Sequence, residues 1–202
     1  MGCCSDYIVK LIEGSKPEDA LKDTFIIKQL TLGISNLNDQ KFIKTIYGTK
    51  YVHTALFISN EEQGYFEDKG IVLEYGKYES KNNSNGLMKY EYTNGGMRYG
   101  WCKLNEFQKE LASAACINLE IQPLYLFRDL IEKMKENDDI WDLDAFSYLN
   151  HNCQHFCAKA IKILGAEYNN NGITIRNNER LKKGKKIDII PEAIRNVLLE
   201  NN

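Results

Sequence analysis

Residues 148–166, YLNHNCQHFCAKAIKILGA, decide the fold of this chain because they predict a long helix with a thiol at its first position. Asn152 is a residue type preferred at a helix N-cap, and Gly165 is a type preferred just past a helix end. We therefore expect a helix from residue 153 to about residue 164. Its apolar residues recur at three- and four-residue spacing and form one buried stripe: Cys153, Phe156, Cys157, Ala160, Ile161 and Leu164.

Cys153 has the surroundings of a nucleophile in this prediction. The first backbone N–H groups of a helix have no acceptor within the helix, and the positive end of the helix dipole lies there. Both features stabilise a thiolate, which is the reactive form of cysteine. A plainer interpretation stays open at this point: Cys153 is a small core residue, as we expect for Cys157 one turn later.

A thiol nucleophile needs a base, and the chain has three histidines. His53 lies near the beginning of YVHTALFIS, residues 51–59, which is a predicted strand. His151 and His155 flank Cys153 too closely, because a residue two positions along a helix is rotated by about 200°. We expect His155 to be a solvated or packing residue, and His53 is the candidate base.

Glu74 is the candidate for orienting the imidazole. It lies among apolar neighbours in IVLEYGKY, residues 71–78, which is another predicted strand. A buried carboxylate needs a partner to offset the loss of hydration, and His53 supplies one if the two strands pair. The alternative is that Glu74 lies on the exposed face of a half-buried strand.

A metal site is a competing interpretation of the cysteine segment. The residues His151, Cys153, His155 and Cys157 recur every two positions, so an extended chain would place all four on one face. Zinc ligands usually come from separate segments, with two to four residues between neighbouring ligands. Because the helical pattern also breaks the alternation, we expect neither a metal nor another cofactor.

The rest of the chain predicts strands and helices without βαβ alternation, which is typical of an α+β fold with a mostly antiparallel sheet. Strands are predicted at 24–32, 51–59, 71–78, 87–93, 97–104 and 116–122, with tight turns at 94–96 and 169–172. Helical segments are predicted at 17–22, at 105–115, from Pro123 onwards with Leu124 on the apolar stripe, at 153–164 and at 191–199.

Size and charge exclude several classes of protein. The 202 residues suit one domain, 1–202, and a net charge of −2 gives no basic field for nucleic acid. No apolar run approaches the roughly 18 residues of a membrane span. The start, Met-Gly-Cys-Cys-Ser-Asp, lacks a secretory signal, so we expect a cytoplasmic protein with reduced thiols.

The N-terminus nevertheless raises one membrane hypothesis. Cys3 and Cys4 are adjacent candidates for reversible acylation, which would give peripheral membrane contact. Asp6 stands where the myristoylation pattern needs Ser or Thr, so that pattern fails. The alternative is an unmodified terminus. The basic run at 181–186, LKKGKK, is expected to be a solvated turn.

Together, these segments resemble the permuted papain-like thiol enzymes, relatives of the NlpC-type peptidases in which the histidine precedes the cysteine. The resemblance spans residues 51–166, and the order and separation of its motifs agree with that family. It is carried by Tyr51-Val52-His53-Thr54 at a strand start, Glu74-Tyr75-Gly76 at the end of the next strand, Tyr148, and Asn152-Cys153-Gln154-His155-Phe156 at a helix start.

Two branches of these enzymes fit the motifs. The PPPDE branch of deSUMOylating and deubiquitinating isopeptidases has a His-Thr/Ser-Gly strand, a Tyr-Gly turn and an Asn-Cys-Asn-x-Phe helix start. The lecithin:retinol acyltransferase-like branch has His-Trp, a second histidine on the next strand, and Asn-Cys-Glu-His-Phe. This chain departs from both branches. Ala55 stands where the PPPDE branch often has glycine, and Glu74 lies near the position of the acyltransferase branch's second histidine. Gln154 replaces the Asn or Glu that usually follows the cysteine.

The resemblance implies a papain-like fold and a cysteine hydrolase. His53 would deprotonate Cys153, whose thiolate would attack an amide or isopeptide carbonyl in a protein substrate, such as a ubiquitin-like conjugate. The Cys153 backbone N–H would be one oxyanion donor, with Asn152 or Tyr51 as candidates for the second. The alternatives are a thiol acyltransferase or phospholipid hydrolase acting on lipid, and an inactive binding module.

Overall fold

The computed structural model describes residues 16–36, 52–60, 69–76, 91–93, 96–121, 124–136, 141–142, 144–175 and 190–200. The predicted nucleophile, base and orienting carboxylate all lie within these ranges. Three other hypotheses fall outside the described residues: acylation at Cys3 and Cys4, the oxyanion role of Tyr51, and the solvated turn at 181–186.

A seven-stranded antiparallel sheet forms the centre of the fold. In order across the sheet, its strands are β5 (Glu91–Thr93), β6 (Met97–Lys103), β4 (Lys69–Tyr75), β3 (Val52–Ser59), β2 (Gln29–Asn36), β7 (Ala115–Glu120) and β9 (Glu167–Ile175). Every pair of neighbours is antiparallel. The strands of His53 and Glu74, β3 and β4, are direct neighbours, as the proposed contact between these residues requires.

The remaining described elements are short. β1 (Ile26–Ile27) pairs with β8 (Tyr125–Leu126) in a second, two-stranded sheet. The helices are a 3-10 helix (Pro17–Leu21), α1 (Leu104–Glu110), α2 (Phe127–Lys135), α3 (Cys153–Ile163) and α4 (Glu192–Glu200). These elements confirm the predicted α+β class with a mostly antiparallel sheet. In the described part of the chain, no helix is both long and apolar enough to cross a membrane.

Side chains cover the sheet on both faces. Leu56 of β3 belongs to the larger hydrophobic core, together with Phe156 of α3. The next residue, Phe57, points to the opposite face and belongs to a smaller core with Phe107 of α1. Strand alternation puts His53 on the same face as Phe57. His53 therefore begins a strand that is covered on both sides, and only 3% of its surface is exposed.

Helix α3 begins and ends where the sequence indicates. It starts at Cys153 directly after the Asn152 cap, and Leu164 is its C-cap. Gly165 follows with a φ of +56°, a left-handed conformation that glycine adopts at little cost. The local signals at both helix ends therefore suffice to place the thiol at the first helical position.

Three predicted boundaries change because strand pairing overrides local preference. The strand predicted at 24–32 divides into β1 and β2. The helix predicted from Pro123 begins only at Phe127, because Tyr125–Leu126 pairs with Ile26–Ile27, and Leu124 is exposed instead of lying on the apolar stripe. The helix predicted at 105–115 ends at Glu110, since Ala115 already begins β7.

The turn predicted at residues 169–172 is wrong. These residues lie within β9, which forms one edge of the large sheet. The pairing of β9 with β7 shifts register between Ile117 and Leu119, opposite this Asn- and Gly-rich run. The polar run therefore marks an irregularity within a strand, a position where glycine is also common.

A glycine in the centre of β2 tests how closely α1 packs on the sheet. A Cβ at Gly33 would lie 2.5 Å from Phe107 Cζ and 2.8 Å from the backbone oxygen of Leu111. We expect Gly33→Ala to lower the free energy of unfolding, measured by urea denaturation, by about 1–3 kcal/mol through overpacking. Gly165→Asn is the control, because asparagine tolerates a left-handed backbone and the site is open; its effect should stay below about 0.5 kcal/mol. A Gly33→Ala protein as stable as the wild type would contradict this packing.

Candidate active site

Asn152 caps helix α3 and fixes where its first residue lies. The Asn152 side-chain oxygen accepts the backbone N–H of Gln154 at 2.9 Å and that of His155 at 3.4 Å. Its side-chain amide donates to the backbone oxygen of Tyr148 at 2.9 Å. The oxygen and the amide nitrogen of the Asn152 side chain thus both hold the helix start. Of its two predicted roles, helix cap and oxyanion donor, these contacts are those of the cap.

An aromatic cluster holds the chain that leads into α3. The ring of His151 stacks on Trp141 with centroids 4.3 Å apart, and Trp141 meets Phe156 edge-on at 5.0 Å. The Tyr75 hydroxyl donates to the backbone oxygen of Asp142 at 2.8 Å and lies 3.2 Å from Nδ1 of His151. Tyr75 belongs to β4, so this cluster ties the helix start to the strand that carries Glu74.

Cys153 lies at the first position of α3, against the beginning of β3. Its Sγ is 3.9 Å from the backbone oxygen of Val52, the residue before His53. A side-chain hydrogen bond with Cys153, and the charge of Cys153, raise the pKa of His53, so the two side chains interact directly. The structure therefore brings the predicted nucleophile and base together, although 101 positions separate Cys153 from Val52 in the sequence.

Glu74 holds the imidazole from the other side. His53 Nε2 lies 2.9 Å from Glu74 Oε2, and the Glu74 side chain has no exposed surface. The alternative that Glu74 lies on an exposed strand face is therefore wrong. An ionised carboxylate only accepts hydrogen bonds, so Nε2 carries the proton in this contact. Nδ1 is then the ring nitrogen that serves Cys153.

Arg98 completes the group and is the residue that the sequence analysis missed. It lies opposite Glu74 in the pairing of β4 with β6. Its Nε and Nη2 atoms lie 2.7 and 2.6 Å from Oε1 of Glu74, and 9% of its side chain is exposed. One signal could have found it: Arg98 is a charged residue in the predicted strand 97–104, next to a predicted turn.

The electrostatics of the site favour an ion pair between the thiol and the imidazole. Burial by itself lowers the pKa of His53. The charge of Cys153 and its hydrogen bond, followed by the hydrogen bond and charge of Glu74, outweigh burial and raise the pKa of His53 to about 10. A histidine that is protonated at neutral pH stabilises a thiolate beside it.

The other two histidines have structural contacts, as the sequence predicts for His155. His155 Nδ1 lies 3.0 Å from the side-chain oxygen of Asn152. Burial, and then the nearby His151, lower the pKa of His155. Three members of the proposed zinc set, Cys153, His155 and Cys157, belong to α3, where residues two apart point in different directions. Within the described ranges, no group of three or more His, Cys, Asp or Glu side chains is arranged so that it could hold a metal ion.

Cys157 shows what a core thiol looks like in the same helix. It is fully buried in the larger hydrophobic core, and burial raises its pKa well above the ordinary value. Cys102 in β6 is also buried with a raised pKa, again because of burial. A raised pKa favours the neutral, unreactive form of these two thiols, whereas Cys153 lies against an imidazole whose own pKa is raised.

The protonation state of His53 gives a direct test of the ion pair. At pH 8 a histidine with the ordinary pKa of 6.5 is neutral, whereas His53 should be an imidazolium that loses its proton only as the pH rises through about 10. Nitrogen NMR of labelled histidine measures this, with the His53 signal assigned by its loss in His53→Gln. His155, whose pKa is lowered, is the internal control and should be neutral at pH 8. A neutral His53 at pH 8 contradicts the pair.

The coupling between Glu74 and Arg98 is testable by a double-mutant cycle. Glu74→Leu leaves a buried guanidinium without its carboxylate, and Arg98→Met leaves the carboxylate without its guanidinium. We expect each to lower the free energy of unfolding by about 3–5 kcal/mol. The double variant should lose clearly less than both losses combined, because it leaves no unpaired charge between the two positions. Strictly additive losses in urea denaturation would show that the two charges do not interact.

Comparison of the chain with protein-family models, curated proteins and solved structures finds no match.

Proposed function

We propose that this protein is a cysteine hydrolase in which Cys153 is the nucleophile, His53 the base and Glu74 the group that orients His53. The observation that carries the proposal is the buried series of contacts from Cys153 through His53 and Glu74 to Arg98. A cysteine that only fills the core needs no imidazole beside it, as Cys157 illustrates. A nucleophile held against a base that a third group orients is the arrangement of thiol hydrolases.

The proposed reaction proceeds through a thioester. The Cys153 thiolate attacks the carbonyl carbon of the substrate, and the C=O π electrons move onto oxygen. When the carbonyl re-forms, the bond to the leaving group breaks, and the proton on His53 Nδ1 passes to that group. Water then gives its proton to Nδ1 and attacks the thioester, the C–S bond breaks, the acid product is released, and the Cys153 thiolate and the protonated His53 are regenerated.

The start of α3 supports this chemistry electrostatically. The Cys153 backbone N–H occupies the first helical position, where the helix itself offers no acceptor, and the positive end of the helix dipole lies there. Both features favour negative charge on the sulfur and on the developing oxyanion. Asn152 holds this end of the helix in place through its cap.

The leading substrate class is an amide or isopeptide bond in a protein, as the resemblance to the PPPDE branch implies. A papain-like fold and a reducing, cytoplasmic location belong to the same proposal. The reducing location is supported by the free thiols among the described residues: Cys102, Cys116, Cys153 and Cys157. Acylated Cys3 and Cys4 would add peripheral membrane contact.

The second candidate is a thiol acyltransferase or phospholipid hydrolase of the lecithin:retinol acyltransferase type. The observation in its favour is the order Asn152-Cys153-Gln154-His155-Phe156. His155 stands two residues after the cysteine, where that branch also has histidine. Against it, the residue of β4 that contacts His53 is a glutamate, Glu74, and not a second histidine. We therefore rank the peptidase first.

Access to the sulfur determines which reagents test the proposal first. Only 2% of the Cys153 surface is exposed, so a substrate carbonyl reaches Sγ only when the groups around it move. Small acyl donors and alkylating agents are therefore the first probes, and protein or phospholipid substrates follow.

Incubation with p-nitrophenyl acetate should add one acetyl group to the wild type at Cys153, detected by intact mass and by p-nitrophenol release. Cys153→Ala should abolish this adduct, and His53→Gln should slow acylation by about 10²–10⁴-fold because the base is lost. Cys157→Ala is the matched control and should acylate like the wild type. Unchanged acylation in Cys153→Ala would overturn every enzymatic assignment. The absence of both an adduct and Cys153-dependent p-nitrophenol release in the wild type would favour an inactive binding module.

The same variants separate the two substrate classes. A thiol-reactive ubiquitin-type or SUMO-type probe that labels the wild type, but neither Cys153→Ala nor His53→Gln, supports the isopeptidase. Transfer of an acyl group from phospholipid vesicles to Cys153, without labelling by either protein probe, supports the acyltransferase instead.

A further inference from the structure

The proposed reaction needs a second hydrogen-bond donor for the oxyanion, and one donor side chain contacts the same backbone oxygen as the nucleophile. Gln154 directly follows the nucleophile in α3. Its Nε2 donates to the backbone oxygen of Val52 at 3.3 Å. Cys153 Sγ approaches the same oxygen at 3.9 Å. The amide nitrogen of Gln154 and the sulfur of Cys153 are thus neighbours across a single carbonyl oxygen.

The Gln154 amide has the capacity for another acceptor. A side-chain amide nitrogen carries two hydrogens, and the contact with Val52 uses one of them. At 3.3 Å that contact is at the long end for a hydrogen bond and involves a neutral acceptor. A hydrogen bond to an anionic oxygen is shorter and roughly twice as strong. The Gln154 side chain is also only partly buried, so a substrate can reach it.

The neighbouring side chains are less suited to this role. The Asn152 oxygen accepts the N–H groups of Gln154 and His155, and its amide donates to Tyr148. Using Asn152 for an oxyanion would therefore disturb the cap that positions Cys153. His155 is held against the same cap through its Nδ1. Gln154, in contrast, contributes only its backbone N–H to the cap, which leaves its side chain independent of it.

We propose that the side-chain amide of Gln154 is the second oxyanion donor of the site, acting with the Cys153 backbone N–H on a planar carbonyl as it becomes tetrahedral. This inference rests on the proposed hydrolase function. It makes Gln154 a catalytic residue because its N–H touches the reacting oxygen. It also gives a reason for glutamine at this position: the side chain keeps a donor there without adding a negative charge beside the thiolate.

The test compares two reactions of the same sulfur. Acylation by p-nitrophenyl acetate develops an oxyanion, whereas alkylation by iodoacetamide is a displacement at carbon in which no oxyanion forms. Gln154→Met removes the donor and keeps the length of the side chain. We expect Gln154→Met to slow acylation by about 10²–10³-fold, the usual cost of losing one oxyanion donor. Alkylation should stay close to the wild-type rate and also shows that the site remains folded.

Gln108→Met is the matched control, because Gln108 is a partly buried amide in α1 whose Nε2 donates weakly to Cys116. It should leave both rates unchanged. Gln154→Ala is measured alongside Gln154→Met, so that no single substitution decides the outcome. A loss of alkylation in both Gln154 variants would assign Gln154 to positioning the thiol, and unchanged acylation in both would remove it from the reaction; either result overturns the inference. If the wild type is alkylated by iodoacetamide but not acylated by p-nitrophenyl acetate, the hydrolase function itself is refuted. This result differs from a failure of the Gln154 inference, in which the wild type is still acylated.

Discussion

The buried carboxylate of Glu74 is the interaction on which the rest of the site depends. It lies between the imidazole of His53 and the guanidinium of Arg98, with contacts of 2.9 and 2.6 Å. A carboxylate in an apolar interior is stable only with partners of opposite charge or with hydrogen-bond donors. Arg98 supplies charge and His53 supplies an N–H, so the contact fixes the orientation of the imidazole. Glu74 also raises the pKa of His53, after the larger contribution of Cys153. A protonated imidazole in turn favours the thiolate form of Cys153.

The order of the strands brings these four groups together. Antiparallel neighbours β3, β4 and β6 present His53, Glu74 and Arg98 side by side, and α3 delivers Cys153 to the beginning of β3. The Tyr75 and Trp141 cluster ties the segment before α3 to β4, so the helix start and the carboxylate share one support. The thiol of Cys153 and the imidazole of His53 thus lie on different elements, α3 and β3. The sheet and the aromatic cluster together hold these two elements in position.

Signals that act over a few residues predict much of this structure from the sequence. The Asn152 cap and Gly165 define α3, and the strands of His53 and Glu74 follow from their apolar character. What the sequence cannot supply is pairing. Arg98 becomes a partner of Glu74 only through the register of β4 with β6, and the residues before Phe127 form β8 only because β1 is beside them. The edge strand β9 could likewise not be predicted from the sequence, since its Asn- and Gly-rich run has the composition of a turn.

The state of the Cys153 sulfur tests the central claim most directly. A thiolate absorbs near 240 nm, so the difference in absorbance between the wild type and Cys153→Ala isolates this one residue from the other cysteines. Because the pKa of His53 is raised to about 10, an imidazolium should support a thiolate at neutral pH, and the difference should already be present at pH 7. A difference that is absent at pH 7 and develops only near the ordinary thiol pKa, about 8.5, would contradict the ion pair and the nucleophilic role of Cys153.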